Sequence, residues 1–286
     1  MFNEFPDTVE VPLDDWVNSL VSWLLRTFSD VFDLITNVTR WLILNIETGL
    51  FWLPWPVLFI LVGVGAWFST RSKLTTTALL GMLFMVGSFN LWEEMMFTLA
   101  LILTAVVISL LIGLPAGILI ARSPTVAMFG RPILDGMQTM PAFVYLIPGI
   151  MFFGLGKVPA IFATVIYAVP PLIRLTDLGI RGVASSAIEA AQAYGAAPGQ
   201  ILKEVQLPLA LPAIMAGINQ MTMMALAMVV IASMIGAVGL GQEVLGSINR
   251  LDIGRGAEAG LSIVAMAVII ERITQGFAKR YEESIA

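Results

Sequence analysis

The sequence predicts a polytopic all-α membrane protein, and three observations carry that reading. Of its 286 residues 58% are apolar and only 12% charged, against roughly 45–50% and 25% in a soluble domain. The mean hydropathy of +0.90 comes with apolar runs that repeatedly approach the ~20 residues needed to cross a ~30 Å hydrocarbon core. Histidine and cysteine are both absent, which removes disulfide frameworks, thiol nucleophiles, imidazole acid–base chemistry and the usual zinc ligand sets. A net charge of -5, from 15 bases and 20 acids, argues against a nucleic-acid partner, which would require clustered Lys and Arg.

The first charges are Glu4, Asp7, Glu10, Asp14 and Asp15, with no base before Arg26, so a cleavable signal peptide is not expected. From Trp16 to Leu42 the residues Trp16, Leu20, Trp23, Leu24, Phe28, Val31, Leu34, Ile35, Val38, Trp41 and Leu42 recur at helical spacing, with polar residues between them. A two-faced helix of this kind lies at the membrane interface or packs on the rest of the protein. Seven spans are expected near Leu50 to Phe68, Thr75 to Trp92, Met95 to Ala121, Met137 to Gly156, Val158 to Leu175, Leu209 to Ala237 and Ala257 to Phe277. The chain then divides into an extracytoplasmic tail and interfacial helix (1–47), two peripheral spans (48–92) and a core domain (93–286) with a polar segment at 182–208.

Placing the N-terminus outside puts Arg71, Lys73, Arg122, Arg131, Arg174, Arg181, Lys203, Arg272, Lys279 and Arg280 inside, ten of the 15 bases. The positive-inside rule therefore predicts N-out and C-in. Pro141 and Pro148 interrupt the fourth span, and Pro159, Pro170 and Pro171 bracket the fifth. Each proline removes an amide donor and frees a carbonyl, which neighbouring helices, polar side chains or water must serve. Such segments either kink a packed bundle or line a transport cavity.

The segment from Gly182 to Pro208 is too patterned for a plain linker. Ser186 and Glu189 stand in capping-box spacing, predicting a helix from Ala187. Gly195 is placed to end it in the left-handed conformation, and Pro198 to start the next. Ala190, Ala191 and Ala193 keep the helix narrow enough to enter a groove on another protein.

At these residues the sequence resembles the permease subunit of a bacterial ABC importer, whose signature reads Glu-Ala-Ala, three residues, Gly, nine residues, Ile, one residue, Leu-Pro. Glu189, Ala190, Ala191, Gly195, Leu207 and Pro208 match it, with Val205 in place of Ile. The runs MQTMPAFVYLIPGIMFFGLGKVPAIFATVIYAVPPLIRLTDLGIRGV and VQLPLALPAIMAGINQMTMMALAMVVIASMIGAVGLG are similar to permeases serving glycine betaine, proline and related quaternary-amine osmoprotectants. That closer similarity covers roughly Trp92 to Arg272. The resemblance implies a type I importer permease fold, a homodimeric core, two separate ATPase subunits carrying ATP and Mg, and an extracytoplasmic binding protein. It also implies that Ala187, Ile188, Glu189, Ala190, Ala191, Tyr194, Gly195, Leu207 and Pro208 form the ATPase-coupling segment. No G-x-x-x-x-G-K-[ST] occurs in the chain, since Gly156 and Lys157 are followed by Val158. This agrees with hydrolysis on a partner and a non-catalytic translocation subunit.

Tyr194 is either an anchor in the partner's groove or packing against its own spans. Arg174 and Asp177, three apart on one helix, are positioned to pair. Asn90, Gln138, Asn219 and Gln220 either join helices by hydrogen bonds or, for the last three, face the pathway. Pro141, Tyr145 and Met223 complete the pathway candidates, and Met215, Met221, Met224, Met228 and Met234 crowd the sixth span together with Met223. An aromatic cage for a quaternary ammonium could draw on Phe143, Tyr145, Phe152 and Tyr167, which otherwise serve as packing. Choline, carnitine, proline or another amino acid are alternative cargoes. A secondary transporter or channel would carry ionisable relay groups at mid-span, and none stands near a span centre here. Because the native chain lacks cysteine, topology is directly testable. A single cysteine at Arg250 should react with an impermeant thiol reagent added to intact cells, whereas one at Glu204 should react only in inverted vesicles. Labelling of the Glu204 position from outside would reverse the orientation.

Overall fold

Proline and glycine set most of the helix ends in this chain, and the computed structural model describes residues 11–285, with side-chain surroundings through residue 276. Glu4, Asp7, Glu10 and the surroundings of Lys279 and Arg280 lie outside the described residues. The single N-terminal helix expected over Trp16 to Leu42 is two: α1 (Leu13–Thr27) and α2 (Ser29–Trp52), parted at Phe28. Pro54 then holds Leu53 in an extended conformation, as a residue before proline prefers. The chain turns by 100° into α3 (Trp55–Thr70).

α4 (Lys73–Ser88) is capped by Ser72, whose hydroxyl accepts from the Thr75 amide at 3.3 Å. The chain turns out of it at Asn90, which adopts a left-handed φ of 55°. Asn90 is therefore an exposed turn residue and not a bridge between helices, a role its short polar side chain tolerates. α5 (Trp92–Arg122) runs 31 residues. The fourth span expected over Met137 to Gly156 is not one helix. Ser123 and Pro124 open an amphipathic α6 (Pro124–Thr139), Met140 is extended ahead of Pro141, and a 3-10 turn (Ala142–Tyr145) leads into α7 (Leu146–Phe153) at 112° to α6. α8 (Lys157–Arg181) follows, then α9 (Ser185–Ala193), α10 (Pro198–Gln200), a π turn (Ile201–Gln206), α11 (Leu207–Ser233), α12 (Leu240–Arg250) and α13 (Ile253–Ile285).

Four helices are long and apolar enough to cross a membrane: α5, α8, the run Pro198–Ser233 and α13. The bent pairs α2–α3 and α6–α7 pass only as broken spans, and α4 is a shorter apolar helix.

α8 is the axis of the packing. Gly113 and Gly117 let α5 lie against it; a Cβ on Gly117 would fall 2.6 Å from Thr176 Cβ and 2.9 Å from the Ile173 carbonyl oxygen. On its other side Gly217 of α11 meets Leu172 and Leu175, and Gly179 of α8 meets Ala210 and Ala213. Lipid supplies no hydrophobic drive between helices, so such small-residue contacts do much of the joining. A second bundle of α3, α4 and α13 is locked where Ser69 Oγ shares its proton between the Arg272 and Ile273 carbonyls, each 2.9 Å away. α12, absent from the sequence expectation, is docked at its start by Thr98 of α5, whose hydroxyl accepts from the Leu240 amide at 2.8 Å.

Arg174 and Asp177 do not pair with each other. Arg174 reaches across to Asp135 of α6, while Asp177 holds Arg131 at 2.9 Å and Arg181 at 2.7 Å. The packed neighbour α6 offered each charge a partner across the helix gap, which i,i+3 spacing alone could not reveal.

Gly117→Val should strain the α5–α8 contact by ~1–3 kcal/mol or more, the usual effect of overpacking. A lower thermal unfolding midpoint in detergent checks it; an unchanged midpoint would mean the two helices separate freely.

Candidate functional site

The segment 182–208 projects from one end of the bundle. Gly182, Val183 and Ala184 alone link α8 to α9, and no residue of α9 is buried. The expected capping box is not formed. α9 starts at Ser185, two residues early, with Ala184 at the N-cap and no side-chain cap. The Ala187 and Ile188 amides bond the Ala184 carbonyl, and in an exposed helix water can serve the remaining first-turn donors. Glu189 is left on the exposed face with no capping duty.

The end of α9 is as the sequence predicts. Gly195 takes a φ of +81°; its amide bonds the Gln192 carbonyl at 2.9 Å and the Ala196 amide bonds Ala191 at 3.0 Å. This is the paired 5→2 and 6→1 pattern of a Schellman motif. Tyr194 is 94% exposed, so it does not pack against its own spans. Pro198 then opens α10, where Gln200 Oε1 accepts from the Ala197 amide at 2.9 Å. There is no second free-standing helix before the sixth span, because α10, the π turn and α11 run continuously over Pro198–Ser233. Leu207 and Pro208 are half-buried on that run, and Ile201 is buried beneath it.

The pathway candidates are less united. Tyr145 is buried in the 3-10 turn, donating its hydroxyl proton to the Met137 carbonyl and lying 6.1 Å from Tyr167. Pro141 and Gln138 are exposed beside the break, Gln220 is exposed on α11, and Met223 packs on the apolar core. Asn219 Oδ1 is buried with no hydrogen-bond partner among the described residues. Phe152 stacks on Phe32 of α2 at 4.8 Å and Phe143 is exposed, so the four aromatics do not close into one cage. Among the described residues no three acids, histidines or cysteines converge to hold a metal.

At the opposite end of the bundle α2 lies over the core in a way the apolar pattern concealed. Phe32, Thr39, Ile43 and Glu47 face the protein, whereas Val31, Leu34, Val38 and Trp41 are exposed. Glu47 pairs with Lys157 at the start of α8, 2.6 Å away, and the Lys157 ammonium sits 4.9 Å from the centre of the Phe97 ring. Sequence reasoning missed this pair, since the two residues are 110 positions apart. An acid interrupting the otherwise uncharged stretch from Trp41 to Thr70 was the available signal.

The chain matches the family model described as "Binding-protein-dependent transport system inner membrane component" over residues 113–283. It is 45% identical over 269 residues to the glycine betaine/proline betaine transport system permease protein ProW of Escherichia coli, covering 94% of this chain and 76% of that protein. It is 46% identical over 265 residues to the glycine betaine transport system permease protein OpuAB of Bacillus subtilis, covering 93% and 94%. Among solved structures, the inward-facing MetNI methionine ABC transporter aligns with a TM-score of 0.56 at 23% identity, over 66% of this chain and 93% of that one, a likeness of fold. The matched region contains the whole α8–α9–α11 unit built above, and the chain accordingly belongs to the binding-protein-dependent inner membrane components of ABC importers, in the glycine betaine permease family.

Proposed function

We propose that this chain is the membrane-spanning subunit of an ATP-driven importer that carries glycine betaine or a close quaternary-amine relative into the cell. The observation that carries the reading is α9 itself, a short, fully unburied helix with its signature residues in place and its end fixed by Gly195, together with ~45% identity to glycine betaine permeases over most of the chain. Two copies of the chain form the translocation path, each offering α9 to one ATPase subunit, and an extracytoplasmic binding protein delivers the solute. The α9 end faces the cytoplasm, with the N-terminus outside, as the distribution of bases supports. Seven crossings satisfy that orientation if the bent pairs α2–α3 and α6–α7 each count as one broken span and the shorter apolar α4 is counted with them. Within 93–286, the break at Met140 and Pro141 and the facing amides of α11 line the path.

In this arrangement ATP binding draws the two ATPase subunits together, and α9 follows because its exposed face, including Glu189, Ala190 and Tyr194, is seated in them. Displacement of α9 passes into α8 through three residues and into α11 through an unbroken helix.

Vesicles containing the permease, its ATPase and its binding protein should accumulate glycine betaine only with internal ATP, and the permease alone should neither bind nor hydrolyse ATP. Concentrative uptake by the permease alone on an ion gradient would favour a secondary transporter. A second expectation concerns Gly195→Val. A β-branched residue at φ +81° costs at least ~1 kcal/mol locally and misdirects α10, while the spans stay inserted. The variant should accumulate normally but lose co-purifying ATPase and transport. Glu189→Ala, which disturbs no cap, should weaken ATPase binding without changing α9. Wild-type transport by Gly195→Val would reduce the elbow to a linker.

A further inference from the structure

The five charged residues between α6 and α8 are not used by the coupling segment, and they tie the two helices together at two separate points. Arg131 Nη2 lies 2.9 Å from Asp177 Oδ2, and Arg181 Nε lies 2.7 Å from Asp177 Oδ1. Arg174 pairs with Asp135. Arg181 Nη2 also donates to the Ile120 carbonyl in the last turn of α5, 2.9 Å away. Asp177 is only 5% exposed, so its charge is held by the two guanidinium groups and not by water.

The geometry of the two crossings matters more than their strength. Arg131 and Asp135 are one turn apart on α6, ~6 Å along its axis, and their partners Asp177 and Arg174 are ~4.5 Å apart on α8 in the opposite order. Two ties at different heights on antiparallel helices fix sliding and rotation together, which a single tie would not. An apolar layer of Leu134, Val169, Ile173 and Ile120 backs them. At its far end α6 carries Met137, whose carbonyl accepts the Tyr145 hydroxyl proton, and then Gln138 and the break at Pro141. At its near end the clamped part of α8 stops at Arg181, three residues from α9.

We propose that Arg131, Asp135, Arg174, Asp177 and Arg181 are positioning residues that make α6 and the α9 end of α8 a single lever, delivering displacement of α9 to the broken segment that begins at Met140. The inference rests on the coupling role proposed for α9 and adds the route by which that motion reaches the path. α11 receives the motion through its own backbone. α6 has no covalent share in it, being separated from α9 by the whole of α8, and the ion pairs supply the missing connection. Without them α8 would slide past α6 and the break would stay where it was.

The Asp135–Arg174 pair is the one to test, because Asp135 is 67% exposed at its side chain and Arg174 36%, and loss of a pair so open to water leaves the fold standing. Asp135→Arg and Arg174→Asp are each assembled with the ATPase and binding protein in vesicles, alongside the double exchange and the wild type. Each single variant should retain its ATPase and basal hydrolysis, and should lose cargo-stimulated hydrolysis and glycine betaine uptake by about 5-fold or more, the lower end of ordinary coupling between sites. The double exchange should restore both to within about two-fold of wild type. A pair that only staples the fold would change the unfolding midpoint and the amount of complex, and not the ratio of stimulated to basal hydrolysis. Single variants with wild-type stimulation overturn the proposal, and so does a double exchange that stays as impaired as the singles. Uptake by the wild type in the same vesicles tests the underlying importer reading separately.

Discussion

The core of this molecule hangs on how closely α8 can be approached by α5 and α11. Between apolar helices in lipid there is no water to expel, and attraction comes from atoms meeting atoms at short range. Gly113 and Gly117 admit α5, and Gly179 and Gly217 admit α11, so α8 is gripped on both sides by backbone as much as by side chains. That grip lets Pro170 and Pro171 sit buried within α8 without dismembering it, although each deprives a carbonyl one turn earlier of its amide. It also sets the distance at which the charged groups of α6 meet those of α8. A wider approach of α6 would leave buried Asp177 with only Arg181 of its own helix.

What the sequence revealed was whatever depended on local chemistry. Composition and apolar run length named the class, the apolar cores of α5, α8, α11 and α13 stood in plain view, and the Gly195 and Pro198 positions followed from backbone preference alone. The errors came where tertiary context decides. Ser186 and Glu189 had capping-box spacing, yet an exposed helix has water available and began at Ser185 without the box. Arg174 and Asp177 had pairing distance along one helix, yet α6 held better-placed partners. The Gly113 and Gly117 spacing of four was present and unread, and so were Ser123 and Pro124, a cap and first-turn proline that announce α6. Of the pathway candidates only Tyr145 is fixed by an identified bond, while Gln138, Pro141 and Gln220 are exposed and Met223 packs on the apolar core.

α2 shows how the same rule of amphipathicity changes meaning with the solvent. In water the apolar stripe of a helix would point at the protein. Here the stripe of Val31, Leu34, Val38 and Trp41 points away, and the face turned inward sets Thr39 and Glu47 beside Phe32 and Ile43. The outward face, which also carries Asp33, Asn37 and Arg40, suits the membrane interface, while inside, Glu47 finds Lys157, which in turn rests against an aromatic ring. An acid that lipid would reject thus becomes the point at which the N-terminal region is fastened to α8.

The unbroken helix from Pro198 to Ser233 gives the spacing of the signature a different meaning. In a loop, the residues between Gly195 and Leu207 would be a tether, and a tether forgives an insertion by bulging. In a helix the same residues are a phase angle. One inserted residue would turn everything upstream by about 100° around the α11 axis, carrying α9 to another azimuth with its chemistry intact. The π turn at Ile201–Gln206 already sets one such phase offset, so the segment's information lies as much in its count of residues as in their identities.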